Sequence, residues 1–207
     1  MTLHHWLAFA AASLVLGIAP GPGVLSIVGY AIGSGRRTAL ASVVGMAVGN
    51  AIAMSLSLAG VGALLAASAS AFLILKWIGA LYLIGLGVIT IIRTRYAGQV
   101  GISTRSASSP AESFVGNVVV GTFHPKTIVF FVAFVPQFID PLQSYVAQAA
   151  LLVVTFTAVV GCSDTVYALL AARVSNLLRT PSYASWFRRV SGGVMIAAGV
   201  ATAAAKR

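Results

Sequence analysis

The sequence predicts an all-α membrane protein of about six transmembrane helices, in two inverted three-helix repeats whose first and fourth helices are broken. Three observations predict it: long stretches without charge, arginines gathered on alternate loops, and proline near the middle of one span in each half.

The charge-free stretches set the class. Of 207 residues, 59% are hydrophobic and 8% charged, whereas soluble domains carry roughly 25% charged residues. Residues 1–35, 38–75 and 141–163 contain no Asp, Glu, Lys or Arg. A soluble helix needs polar residues on its exposed face, while a bilayer span needs ~20 mostly apolar residues. The spans are expected at about 4–33, 38–64, 71–92, 113–139, 144–172 and 187–205. The first is interrupted by Ala19-Pro-Gly-Pro-Gly23 and is read as an uncleaved helix, because no positive residue precedes its apolar run. A polar stretch at 93–112 is the one long loop, and residues 1–207 form a single transmembrane domain, with repeats at about 1–95 and 113–207.

The net charge of +10 does not point to nucleic acid, because the basic residues lie in short clusters between apolar runs. Arg36 and Arg37 follow the first span, Arg93, Arg95 and Arg105 the third, and Arg173, Arg179, Arg188 and Arg189 the fifth. The opposite side has only Lys76 and the terminal Lys206 and Arg207. Cytoplasmic loops collect Lys and Arg, so both termini are expected outside. A re-entrant first segment would instead place the N-terminus inside. Trp6, Trp77 and Trp186 lie near expected span ends, where aromatic belts form, and His4 and His5 are expected at the interface. Cys162 is read as a small packing residue without redox or metal role.

The halves correspond. Pro20 and Pro22 interrupt the first span of one, and Pro125 the first span of the other. Glycines recur on the third span of each, at 79, 85 and 87 and at 192, 193 and 199. Asn50 and Asp164 fall at similar depths in the second span of each half. Three spans per half force the second repeat to run inverted, and broken helices at matching positions of inverted repeats point to a transport site.

The breaks carry the polar chemistry. Proline removes a helical hydrogen bond, and in lipid such breaks survive only where protein or a wet cavity satisfies the freed groups. Pro20, Gly21, Pro22 and Gly23 should open a short non-helical segment, baring a helix N-terminus that favours anions. The bland reading of that segment is a structural kink. His124, Pro125 and Lys126 form the second break, about thirteen residues from either end of the fourth span. A lysine at that depth costs at least ~2.5 kcal/mol on insertion scales, so Lys126 should face the bundle interior. Asp164, the acid deep in a span, is its candidate partner, either as a packing pair or as part of a functional site. His124 either relays a proton or caps carbonyls at the break. Ala41, Gly45, Gly49, Ala53 and Ser57 recur every fourth residue, a stripe on which another helix packs closely. Phe130, Phe131, Phe134 and Phe138 are expected to pack or to face lipid.

At these residues the chain resembles the lysine-exporter (LysE/RhtB) family of amino-acid efflux transporters. The resemblance spans nearly the whole sequence and rests on several segments in order. These are Pro20-Gly-Pro-Gly23, Gly35-Arg-Arg37 before Gly45-Met-Ala-Val-Gly49, Lys76-Trp-Ile-Gly-Ala-Leu-Tyr-Leu83, and Pro125-Lys-Thr-Ile-Val-Phe-Phe131 followed by Phe134-Val-Pro-Gln-Phe138. The resemblance implies efflux of amino acids or related metabolites, driven by the proton gradient, across a bacterial inner membrane. Family members usually carry Asn where this chain has His124, and many carry an acid where it has Asn50. Both changes alter the polarity of the expected site.

The substrate-binding set is thus expected at Pro20, Gly21, Pro22, Gly23, Asn50, His124, Pro125 and Lys126, with Asp164 as the coupling acid. No cofactor or metal is expected. The partners are a small-molecule substrate and the lipid bilayer, and a homodimer is compatible with the sequence. An ion channel or cation exporter is the competing reading, although a cation path should be lined by acids. An intramembrane enzyme using His124, Lys126 and Asp164 lacks a Gly-x-Ser-x-Gly elbow and a His-Glu-x-x-His pair.

Overall fold

The computed structural model describes residues 1–19, 21–67 and 108–173, with isolated positions between 74 and 92 and between 193 and 204. The expected third and sixth spans as continuous elements, Trp186, Pro20 and the side chains of Pro125 and Lys126 lie outside the described residues.

Helix α1 spans Leu3–Ile18, and its N-cap Thr2 accepts a 3.3 Å hydrogen bond from the amide of His5. It stops at Ala19, which takes φ −70° and ψ 111°. A residue before proline is pushed out of the helical region by the proline ring, and Pro20 follows. Helix α2, Pro22–Ala67, starts on a second proline, where the missing N–H costs nothing. It divides at Gly35, whose φ of 82° and ψ of −178° suit glycine alone. There the chain reverses, so that 22–34 folds back on the start of 36–67, with Val24, Val28 and Ala31 against Ala39, Val43 and Met46.

Helix α3, Pro110–Phe123, opens with a capping box in which Ser109 and Glu112 satisfy each other's amides. The helix therefore begins within the expected 93–112 loop, three residues ahead of the span start read from hydropathy. It ends at His124 with φ −71° and ψ 111°, the conformation of Ala19, and again the next residue is proline. Helix α4, Pro125–Ala133, gives way to a 3₁₀ segment, Val135–Phe138, because Pro136 has no amide to continue the ladder. Asp140 ties the following turn by accepting from the Leu142 amide at 3.0 Å and from Gln143 Nε2 at 3.1 Å. Helix α5, Tyr145–Arg173, completes the described elements.

Two parallel pairings organise the bundle. The 36–67 arm of α2 lies along α3, with the Ser113 hydroxyl donating to the Thr38 carbonyl and Asn117 Nδ2 to the Ser42 carbonyl. The small-residue stripe sets the separation. A Cβ at Gly45 would stand 2.2 Å from the Phe114 oxygen, and one at Gly49 2.4 Å from the Val118 oxygen. On the other side α1 lies along α5: Trp6 Nε1 donates to Thr155 Oγ1 at 2.9 Å, and the Tyr167 hydroxyl to the Ile18 carbonyl at 2.7 Å. The 22–34 arm continues the same path, since Val28 and Ala31 pack with Ala168 and Ala171. The first segment therefore follows α5 from end to end as one broken span rather than a re-entrant hairpin.

Outward stripes such as Val44, Val48, Ile52 and Leu56 on α2, and Val115, Val119 and Phe123 on α3, repeat every fourth residue. Exposed apolar faces of this extent are built for lipid. Three apolar stretches, Pro22–Gly60, Pro110–Phe138 and Tyr145–Arg173, are long enough to cross a bilayer, and Leu3–Ile18 adds a shorter one. The described residues form an all-α membrane protein. Cys162 corrects one expectation: it is exposed on the outer face of α5 rather than packed.

Candidate functional site

Both helix breaks fall near the middle of their apolar segments. At 1.5 Å per residue α1 runs about 24 Å before the first break, and α3 runs about 21 Å before the second. The breaks also meet. A Cβ on Gly23 would lie 4.0 Å from His124 Cδ2, and 3.1 Å from the methyl of Met46.

Around this meeting point is a cavity of about 40 Å³, lined by Leu16, Gly17, Ala19, Gly21, Gly23, Val24, Met46, Asn50, His124, Thr127, Phe156, Val160 and Asp164. A water fills at least ~10–15 Å³ on this measure, so the space holds about three waters and less than a whole amino acid. Of the expected site residues, Gly21, Gly23, Asn50, His124 and Asp164 line the cavity. Pro22 begins the helix whose first turn does so, and Lys126 is the second residue of α4, between cavity residues His124 and Thr127. The expected pairing of Lys126 with Asp164 falls outside the described residues.

Local chemistry explains the arrangement. The first four N–H groups of a helix have no partner within it. Gly23 and Val24, in the first turn of α2, bring such groups to the cavity wall. At the second break the Thr127 hydroxyl donates to the His124 carbonyl at 3.0 Å, and the amides of Thr127 and Ile128 do so at 3.1 Å each. The His124 side chain makes no cap to α4. Two helix N-termini thus border one small cavity, an arrangement that favours an anionic group.

Acceptors face it from the other helices. Asp164 on α5 is 3% exposed and Asn50 on α2 is 4% exposed. Asn50 Oδ1 finds no hydrogen-bond partner among the described residues. The Asn50 backbone is held there by close packing, for a Cβ on Gly121 of α3 would sit 3.1 Å from its backbone nitrogen. The cavity thus has helix N-termini on one side and the buried oxygens of Asn50 and Asp164 on the other.

Sequence reasoning missed several contributors. Asn117, fully buried, accepts from the Ser26 hydroxyl at 2.7 Å while donating to α2, and so ties the 22–34 arm to α3. Its signal was available, since Ser113, Asn117 and Gly121 mark one small, polar face every fourth residue. Met46 and Phe156 had no signal, because nothing separates them in sequence from ordinary core residues. Phe156 joins the cavity to a ring cluster in which Phe131–Phe156, Phe130–Phe134, Phe134–Phe138 and Phe9–Phe138 centroids lie 4.8, 4.9, 5.2 and 5.4 Å apart. The four phenylalanines read from sequence as packing or lipid-facing all belong to this core.

Residues 14–205 match the model of the family described as LysE type translocator. A homoserine/homoserine lactone efflux protein of Salmonella typhimurium is 35% identical over 207 residues, covering 100% of this chain and 99% of that one. An uncharacterized membrane protein of Vibrio cholerae is 34% identical and covers 100% of both chains. A leucine efflux protein of an Enterobacter species is 30% identical over 74% of this chain and 72% of its own. No solved structure matches the chain. Broken apolar helices around a small cavity that holds Asn50, His124 and Asp164, and full-length bacterial relatives, agree: this is a multi-pass transporter of the bacterial inner membrane, not an enzyme, and it belongs to the LysE type translocator family.

Proposed function

We propose that the chain exports amino acids or closely related amine-bearing metabolites in exchange for protons. The observation that carries this reading is the meeting of both helix breaks at a cavity that also holds a buried carboxylate. The substrate carboxylate takes the pole formed by the first turns of α2 and α4, where Lys126 supplies a compact cation. The positive end of the substrate takes Asp164. A proton competes for the same carboxylate, so Asp164 returns to the cytoplasmic side neutral and leaves it loaded with substrate. That competition makes the exchange obligatory: a bare buried carboxylate is costly to move across the bilayer. The full-length likeness to a homoserine/homoserine lactone efflux protein, and the likeness over about three quarters of the chain to a leucine efflux protein, support small amino acids as the substrate class.

Everted membrane vesicles with an acidified lumen test the reading. Labelled homoserine or leucine is expected to accumulate in them and to be lost when the pH gradient is collapsed. Flux unaffected by the gradient overturns proton exchange. Absence of flux for any amino acid overturns the assignment as an amino-acid exporter.

A further inference from the structure

We infer that Asn50 is the residue that selects for a free ammonium group on the substrate, so that the amine rather than the carboxylate decides what is exported. The inference rests on the exporter reading above and assigns the specificity of the same cavity. Asn50 is 4% exposed and lines the cavity, and its Oδ1 has no donor among the described residues. A buried acceptor without a donor carries its desolvation cost unrelieved. A water in the cavity can donate to it, and a substrate that displaces that water has to donate in its place. Asp164, also nine-tenths buried, presents a second acceptor to the same space, and the Phe156 ring lines it. Two oxygen acceptors and an aromatic ring suit a group with several N–H donors and a positive charge. A primary ammonium fits that description. An acylated amine has a single donor for Asn50 Oδ1 and no positive charge to set against the Asp164 carboxylate.

Beside Lys126, the pole that takes the carboxylate includes the first-turn N–H groups of Gly23 and Val24, which donate to an ester or amide carbonyl as well as to a carboxylate. Compounds with a free amine and a masked carboxylate therefore still bind, while N-acylated amino acids do not. Discrimination of this kind is strong wherever a site is built to bond a group, because the analogue lacking it leaves buried polar atoms unpaired.

Competition against labelled amino-acid uptake in the everted vesicles tests the assignment. In the unaltered protein the amino-acid amide is expected to compete and the N-acetyl amino acid to fail. Asn50→Leu, of similar volume but without an acceptor, is expected to raise KM roughly ten- to a hundredfold, the range set by losing a hydrogen bond to a charged group. Asn50→Asp keeps the acceptor and is expected to retain a low KM. Membrane abundance of both variants is followed by immunoblot, and the competition arm needs no variant at all. Equal competition by the N-acetyl compound overturns the inference, as does Asn50→Leu with an unchanged KM. Loss of binding in Asn50→Asp as in Asn50→Leu also overturns it, because Asn50 would then be donating to a carboxylate. Each of these results leaves amino-acid export standing. Only the absence of labelled uptake in the unaltered protein removes the exporter reading itself.

Discussion

Gly49 shows how single residues set the position of the cavity. Its missing side chain lets the α3 backbone come so close that a Cβ would stand 2.4 Å from the Val118 oxygen and 2.9 Å from Gly121 Cα. The obstacle is backbone, which has no rotamer to yield. Gly49→Ala is expected to cost about 1–3 kcal/mol by overpacking, seen as lower thermal stability in detergent. Gly60→Ala serves as the control, since nothing lies within 4 Å of its Cβ position; it should be neutral or slightly stabilising. A different outcome is expected at the polar poles. Lys126→Ala and Asp164→Asn should each abolish export while the protein still inserts at normal abundance. Lys126→Arg should also be poorly tolerated, because a planar fork does not replace a compact ammonium. Normal transport by Lys126→Ala would make the lysine structural and leave the anionic pole to the backbone alone.

Among the elements, α3 depends most on its start. Ser109 and Glu112 close a reciprocal cap, and the Ser108 amide donates to Ser34 Oγ at 2.9 Å, fastening this start to the end of the 22–34 arm. Ser109→Ala is expected to lower stability by about 1 kcal/mol, a shift readable in a thermal melt of the detergent-solubilised protein. The cap is plain in sequence as Ser-x-x-Glu around a proline, yet hydropathy alone placed the span start at about 113. The breaks were more legible, because Pro20, Pro22 and Pro125 act through local sterics that need no tertiary partner. That locality is why Ala19 and His124 share one backbone conformation. The stripe through Gly45 and Gly49 announced a close helix contact, but not which helix made it. Asn50 and Asp164 stood out as polar residues in apolar runs. Their shared cavity with Phe156 depends on how α2 and α5 pack, and no local pattern encodes that. Cys162 was misread for the same reason: one step around α5 separates lipid from core.

For the whole molecule, the two ends of the bundle differ in charge and in packing. One end gathers Gly35 with Arg36 and Arg37, the start of α3, and Arg173 at the close of α5. The other holds Thr2, the Asp140–Gln143 turn, and the Tyr145 hydroxyl donating 2.6 Å to the Leu58 carbonyl. Positive residues are retained on the cytoplasmic side, so the arginine end is expected to face the cytoplasm and the N-terminus the outside. The packing is then asymmetric across the membrane. Outside the cavity stand Phe9, Phe130, Phe134 and Phe138 in a continuous ring cluster, whereas the cytoplasmic side is closed by smaller residues such as Val24, Ala31, Ala39 and Val43. On that orientation, release to the outside separates stacked rings, while entry from the cytoplasm shifts mostly aliphatic side chains such as Ile27, Val28 and Met46. Single cysteines in a Cys162→Ala background test this orientation with a membrane-impermeant thiol reagent on intact cells. A cysteine at Gln143, in the exposed turn, is expected to react, and one at Ser106 to react only after the cells are opened. If Ser106→Cys is labelled in intact cells and Gln143→Cys is not, the arginine end lies outside. The aromatic cluster would then guard the cytoplasmic entrance instead, and the order of opening during export would reverse.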